Sequence, residues 1–141
     1  MTFAEAVRLC LTERYARFSG RARRSEYWWF WLFNLAVQAI LGLTFGEEGI
    51  GSILAALVSL ALLIPGLAVL VRRLHDTDRT GWWALIGLVP VIGFLVLLVF
   101  GVQRGTDGPN RFGADPLRPT LGGGRADGSA DGSVPPVPRR R

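Results

Sequence analysis

The chain reads GIGSILAALVSLALLIPGLAVLV from Gly49 to Val71, a stretch without one charged side chain. At a helical rise of about 1.5 Å per residue, this stretch is long enough to cross a bilayer core about 30 Å thick. Two more uncharged stretches flank it, at residues 27–46 and 81–103. A chain of 141 residues has too little other sequence to cover three helices that are apolar on all sides. The pattern therefore predicts a membrane protein with three transmembrane helices.

The composition disfavours other classes of protein. The chain is 50% hydrophobic and 19% charged, with a formal net charge of +5, and its 16 basic residues are all arginine. Because the apolar residues are collected in three stretches, a soluble enzyme and a nucleic-acid-binding domain are both disfavoured, and no nucleic-acid partner is expected. The single cysteine, Cys10, excludes an intrachain disulfide.

The regions outside the three stretches differ in composition. Residues 1–26 predict a short amphipathic helix, which either lies in the membrane interface or packs against the rest of the protein. Its apolar side is formed by Phe3, Val7, Leu11, Tyr15 and Phe18, with Cys10 beside them. Residues 118–141 are rich in Gly, Pro and Arg and predict a disordered tail. We therefore expect an all-α membrane domain over residues 1–117, followed by that tail.

Several residues inside the stretches indicate how the helices meet. Asn34 and Gln38 lie four residues apart and share one helix face, which should turn toward a neighbouring helix. Pro65 predicts a kink, with the carbonyl that it frees bonded by a neighbour. Pro90 and Gly93 divide the third stretch. They leave open an alternative to the third span, a re-entrant hairpin hinged at these residues. Such a hairpin would place the tail on the side of the membrane where the third stretch begins.

The arginines predict the orientation of the spans, because loops rich in arginine stay on the cytoplasmic side of the membrane. With a cytoplasmic N-terminus and three spans, nine arginines near the membrane lie inside and three outside. The loop around Glu47 and Glu48 has none. Aromatic residues that would form an interfacial belt on the cytoplasmic side are Trp28, Trp29, Trp31, Trp82 and Trp83.

The densest polar group of the sequence lies on the same predicted side. Its candidate contacts for an anion or a lipid headgroup are Arg21, Arg23, Arg24, Arg72, Arg73 and Arg79. Its candidate polar loop residues are Glu26, His75, Asp76 and Asp78.

Three interpretations of this group are open. In the first, the arginines anchor the spans and pair with Glu26, Asp76 and Asp78. In the second, the guanidinium groups bind a phosphate or another anionic headgroup. In the third, His75 and Asp76 act as an acid–base pair, although no nucleophile motif accompanies them. The sequence has no phosphate-loop, paired-cysteine or dinucleotide motif, so we predict no catalytic residue, metal or cofactor.

Three short motifs carry a family resemblance. They are FSGRARRSEYW at residues 18–28, RRLHD with GWW at residues 72–83, and a closing motif with NRFG at residues 110–113. The closing motif also includes Gly105, Gly108, Asp115 and Pro116. In this order, over residues 3–117, the chain resembles the domain-of-unknown-function family 805 of small bacterial inner-membrane proteins. The resemblance implies a multi-pass protein of the bacterial inner membrane and implies no activity, substrate or catalytic residue.

We therefore expect a non-catalytic membrane interaction or envelope-associated protein with a cytoplasmic N-terminus. Three short spans bury little surface of their own, so we expect contacts with lipid and either self-association or binding to another membrane protein. The alternative function is a binder or transporter of an anionic lipid or small molecule, which would use the cytoplasmic arginines.

Overall fold

The computed structural model describes residues 1–46 and 48–118, and the predicted tail lies outside these residues except for Arg118. The helical elements are α1 (Phe3–Leu11), α2 (Arg24–Phe45), α3 (Ile50–Asp76), a 3₁₀ helix (Gly81–Leu88) and α4 (Ile92–Val102). The described part contains no β-strand beyond one isolated bridge between Asn110 and Gly113. The predicted all-α class is confirmed for this part of the chain.

Helix α1 begins with a capping box. The Glu5 backbone N–H donates to the Thr2 hydroxyl at 3.3 Å, and the Thr2 backbone N–H donates to the Glu5 carboxylate at 2.8 Å. The helix ends at Leu11, earlier than the predicted amphipathic segment. Its buried residues are Ala6 and Cys10, and it packs against α2, where the Phe3 ring meets the Trp29 ring edge-on at 5.7 Å.

Helices α2 and α3 form an antiparallel pair, and both are long and apolar enough to cross a membrane. The connection between them begins and ends with glycines in the left-handed region, Gly46 at φ +69° and Gly49 at φ +66°. Most of the surface of the two helices is apolar and exposed. Such a surface is expected of helices that face lipid.

The third uncharged stretch does not form one helix, so the predicted span over residues 81–103 is not confirmed. A 3₁₀ helix and α4 divide it, and α4 alone, with 11 residues, is about half the length that a span needs. Pro90 has no N–H to continue a helix, and Val91 turns the chain at φ +64°. Gly93 then packs so closely on the Ile86 carbonyl that a Cβ would overlap it.

The two halves of this third stretch return to the same end of the α2–α3 pair. Gly81 lies against Val71 near the end of α3, and Gly101 of α4 lies against Tyr27 near the start of α2. The geometry is therefore that of a hairpin, the alternative that Pro90 and Gly93 left open.

The main buried cluster lies where α1, the segment after it, α2 and α3 meet. It comprises Cys10, Ala22, Phe30, Leu62 and Val69. Backbone hydrogen bonds tie the neighbouring segments together: Ala22 N–H donates to the Arg72 carbonyl at 3.0 Å and Thr106 N–H to the Asp76 carbonyl at 2.7 Å.

Candidate functional site: a buried arginine layer

A layer of charged side chains closes this end of the molecule. It draws on the segment after α1, the start of α2 and the last turns of α3. We call the arginine layer the six residues Arg14, Arg21, Glu26, Arg72, Arg73 and Asp76. Four of the candidates predicted as loop residues or anion contacts, Arg72, Arg73, His75 and Asp76, belong to α3, which continues past Val71 to Asp76.

Glu26 organises one half of the arginine layer. Its side chain is 1% exposed and forms an ion pair with the Arg72 guanidinium, also 1% exposed. Arg14 donates to the second carboxylate oxygen at 3.1 Å. The Cys10 thiol lies 3.8 Å from Glu26 Oε1 and 3.9 Å from the Arg72 guanidinium. A buried carboxylate between two guanidinium groups holds α2, α3 and the segment after α1 together.

Asp76 organises the other half. Arg21 Nε donates to Asp76 Oδ1 at 2.9 Å, and Arg73 pairs with Oδ2. Arg21 also donates to the carbonyls of Thr106 at 2.5 Å and Gly108 at 2.6 Å. Arg21 therefore fastens residues 103–118, which follow α4 and which we call the closing segment, to the arginine layer. Gly105 belongs to this segment and lies so close to the Asp76 carboxylate that a Cβ would overlap it.

The arginine layer carries more positive than negative charge, since four guanidinium groups meet two carboxylates. The remaining donors bond largely to backbone carbonyls, as Arg73 does with Gln103. Among the described residues, the buried Nε–H groups of Arg72 and Arg73 have no hydrogen-bond partner. The ion pairs of Glu26 and Asp76 with arginines are those that the first interpretation, a structural role, describes.

His75 is held by neighbours that leave its ring little freedom. Its Nδ1 lies 3.0 Å from the Gly20 carbonyl oxygen, which assigns the proton to Nδ1 because a carbonyl can only accept. The ring stacks on Phe112 at 4.0 Å, and Asn110 donates to the His75 carbonyl at 2.8 Å. The structure thus separates His75 from the Asp76 carboxylate, which Arg21 and Arg73 engage.

The other predicted anion contacts lie outside the ion pairs of the layer. Arg23 donates to the Pro116 carbonyl at 2.8 Å, and Arg24 makes one long contact of 3.5 Å with the Val102 carbonyl. Arg79 donates to the Gln103 side chain at 3.1 Å, and its guanidinium lies 4.3 Å from the centre of the Phe100 ring.

Asp78 and Asp115 form further contacts beside the arginine layer. Asp78 is exposed and pairs with Arg111 at 3.2 Å. The Asp115 carboxylate accepts from the backbone N–H groups of Leu117 at 2.9 Å and Gly108 at 3.0 Å. These hydrogen bonds lower the pKa of Asp115. Asp115 therefore fixes the turn that Arg21 also holds.

The tryptophans lie in the first turns of α2 and of the 3₁₀ helix, next to the arginine layer. Trp28 Nε1–H donates to the Gly101 carbonyl at 3.2 Å, and the Trp83 ring meets the Phe100 ring edge-on at 5.8 Å. Trp82 is 78% exposed. The residues of the predicted belt are Trp28, Trp29, Trp31, Trp82 and Trp83, and their place at a membrane interface stays a prediction.

Two residues that contact Glu26, Arg14 and Cys10, are not among the site residues predicted from the sequence. Arg14 was not predicted, although a charged residue on the apolar side of the N-terminal segment was a usable signal. Cys10 was assigned to that apolar side, and its contact with Glu26 joins residues far apart in the chain. Within the described ranges, no three His, Cys, Asp or Glu side chains cluster so as to hold a metal ion.

Comparison with known proteins gives a family and several relatives. A family model described as protein of unknown function (DUF805) matches residues 15–114. Inner membrane protein YhaI of Escherichia coli K12 is 52% identical over 111 residues, which are 77% of this chain and 92% of the relative. Inner membrane protein YhaH of the same strain is 46% identical over 113 residues, 77% of this chain and 93% of the relative. No solved structure gives a significant match.

Proposed function

This chain belongs to the DUF805 family, and we propose that it is a non-catalytic protein of the bacterial inner membrane that associates with a second copy of itself. Its relatives YhaI and YhaH are named as inner membrane proteins, which supports the inner membrane as its location. The observation that carries self-association is a hydrogen-bonded pair, Gln38 and Ser59, on the outer surface of the two long helices.

The proposed arrangement in the membrane has α2 and α3 as the spans and the third stretch as a re-entrant hairpin. In this arrangement every arginine from Arg8 to Arg118 lies on one side, and residues 46–49, which connect the spans, contribute none. Arginine-rich segments stay in the cytoplasm, so the N-terminus is cytoplasmic. The hairpin resolves the conflict of a three-span arrangement, in which Arg104, Arg111 and Arg118 would lie outside.

The arginine layer supports a structural role rather than catalysis. The Asp76 carboxylate is bonded to two guanidinium groups, and the His75 ring is stacked and bonded to the Gly20 carbonyl. Asp76, engaged by both guanidinium groups, is therefore not placed to act with His75 as an acid–base pair. The layer instead locks the cytoplasmic ends of the two spans in one arrangement.

In the proposed arrangement, the Gln38–Ser59 pair lies within the membrane, where it faces either lipid or another protein. At about 1.5 Å per residue, Gln38 lies about 20 Å along α2 from the arginine layer. Gln38 Nε2 donates to the Ser59 hydroxyl at 2.9 Å, and Ser59 is exposed. The amide keeps a second N–H, and the side chain of Asn34, one turn away on α2, makes no hydrogen bond within the described residues. A side-chain amide both donates and accepts, so two copies related by a two-fold axis satisfy each other.

Cysteine crosslinking in native membranes tests this association. In a Cys10→Ser background, Ser59→Cys should give a disulfide-linked dimer on oxidation. Leu57→Cys is the matched control, because Leu57 is 60% exposed but lies on the opposite side of α3. Adding Gln38→Leu to the Ser59→Cys variant should reduce the dimer several-fold.

The crosslinking results distinguish self-association from random collision and from binding to a different protein. A dimer at Ser59→Cys and none at Leu57→Cys supports the proposal. Equal crosslinking at both positions indicates random collision and overturns it, as does a crosslink only to a protein of different mass.

A further inference from the structure

A pocket of about 290 Å³ opens beside the first turn of α2, next to the arginine layer. Its volume is at the lower end of the range for small-molecule sites, about 300 Å³ and above. Three arginines line it, and only one of them, Arg104, comes from the segment after α4. The lining residues are Arg23, Arg24, Ser25, Asp76, Arg104, Gly105 and Leu117.

The arginines of this pocket differ from those of the arginine layer in their partners. Arg23 and Arg24 contact only backbone carbonyls and have no carboxylate within 4 Å among the described residues. Arg104 pairs with Asp107 at 3.3 Å, but both side chains are about 70% exposed, so this pair is weak. The pocket thus presents guanidinium donors that the fold itself leaves available.

The single carboxylate in the pocket does not cancel this charge. Asp76 lines the pocket, but Arg21 and Arg73 already engage its two oxygens. The first turn of α2 adds to the positive potential, since its cap residue, Arg23, makes no side-chain capping bond and the backbone N–H groups there carry partial positive charge. The local field therefore favours an anion.

We propose that this pocket binds a phosphate group, carried by an anionic lipid headgroup or by a soluble phosphate ester. Arginine forks match the paired oxygens of phosphate, and the first turn of a helix offers it backbone donors. The pocket lies at the start of a span, where lipid headgroups are found. This binding site is separate from the Gln38–Ser59 surface and does not depend on self-association.

The test uses the purified full-length protein in a neutral detergent, with ligand retention measured by native mass spectrometry. Three probes are compared: dihexanoyl phosphatidylglycerol, dihexanoyl phosphatidylcholine and glycerol phosphate. The variant is Arg24→Gln with Arg104→Gln, two exposed residues without buried ion pairs. Its matched control is Arg8→Gln with Arg17→Gln, which removes the same charge from exposed residues that do not line the pocket.

The wild-type protein should bind phosphatidylglycerol more tightly than phosphatidylcholine. The pocket variant should weaken phosphatidylglycerol binding by about tenfold or more, since each charge-assisted contact is worth about a tenfold change. The control variant should stay within about twofold of wild type. Glycerol phosphate binding as tightly as the lipid identifies a soluble ester as the ligand, whereas lipid binding alone identifies a headgroup.

Three results would overturn the proposal. One is equal retention of phosphatidylglycerol by wild type and by the pocket variant. Another is an equal loss in the control variant, which would reduce the effect to overall charge. The third is phosphatidylcholine, whose choline cation offsets the charge of its phosphate, binding as tightly to the wild-type protein as the anion phosphatidylglycerol.

Discussion

Tyr15 donates its hydroxyl hydrogen to the backbone carbonyl of Ala61 at 2.5 Å. Ala61 lies four residues before Pro65, and a proline has no N–H to bond the carbonyl one turn earlier. The carbonyl that Pro65 frees is therefore bonded by a side chain from the segment after α1. This contact ties the N-terminal segment to the middle of α3.

Replacing Tyr15 with Phe should destabilise the protein by about 1 to 2 kcal/mol, because the Ala61 carbonyl then has no donor. In a Pro65→Ala background the helix supplies its own N–H, and the same substitution should cost clearly less. The free energy of unfolding in detergent, measured for the four proteins of this cycle, gives the coupling. Equal costs in both backgrounds would show that the two groups act independently.

Removing the Glu26 charge should cost more than removing a surface charge. Glu26→Gln leaves the buried Arg72 guanidinium without its counter-ion, for an expected loss of about 3 to 5 kcal/mol in unfolding free energy. Glu13→Gln, at an exposed position, is the control and should change stability by less than about 0.5 kcal/mol. The double variant Glu26→Gln with Arg72→Gln should recover part of the loss. A double variant as unstable as the sum of both single variants would argue against a direct pair.

Cys10 predicts a component of stability that depends on alkaline pH. Burial, followed by the negative charge of Glu26, raises the pKa of the thiol from 9.0 to about 11. The folded protein thus holds the thiol proton more tightly than the unfolded chain. This contribution is fully present below pH 9 and is lost as the pH rises toward about 11. Unfolding free energy should fall more steeply across that window in wild type than in Cys10→Ala; parallel curves would exclude the effect.

The helices were predictable where composition alone decides them. The uncharged stretches before Phe45 and after Ile50 became α2 and α3, because a long apolar helix satisfies its own backbone groups whatever its neighbours are. The third stretch had the same composition, and its division at Pro90 depended on a close contact between Gly93 and the Ile86 carbonyl. Such a contact joins two halves of a hairpin and leaves no periodic signal in the sequence.

The sequence predicted the types of residue at the site, but it did not predict which arginine pairs with which carboxylate. Arginines and carboxylates near the ends of the spans were evident, but charge alone does not say which arginines are consumed by ion pairs. Arg21, Arg72 and Arg73 are buried, whereas Arg24 is exposed. Arg21 and Arg24 belong to the same short motif, and only tertiary contacts with Asp76 separate their environments.

Gly105 should not tolerate a larger side chain. Gly105→Ala places a methyl group where the Asp76 carboxylate lies, so the carboxylate must leave Arg21 or Arg73. We expect a loss of about 1 to 3 kcal/mol in unfolding free energy, the usual cost of overpacking. Gly42→Ala is the control. Gly42 lies within α2, and a Cβ there would contact no neighbouring atom, so this substitution should be neutral or slightly stabilising. A neutral Gly105→Ala would show that the closing segment can move away from Asp76.

The re-entrant hairpin predicts that the chain on either side of it lies in one compartment. A reporter fused after Arg118 should be cytoplasmic, and one inserted after Glu48, between α2 and α3, should be periplasmic. Alkaline phosphatase and a fluorescent protein at each site give opposite signals for the two compartments. A third full span would instead make both sites periplasmic, whereas a reversed orientation with the hairpin would exchange the two signals. The pair of fusions therefore distinguishes the hairpin from a span independently of which way the protein is inserted, because only the hairpin puts Arg118 and Glu48 on opposite sides.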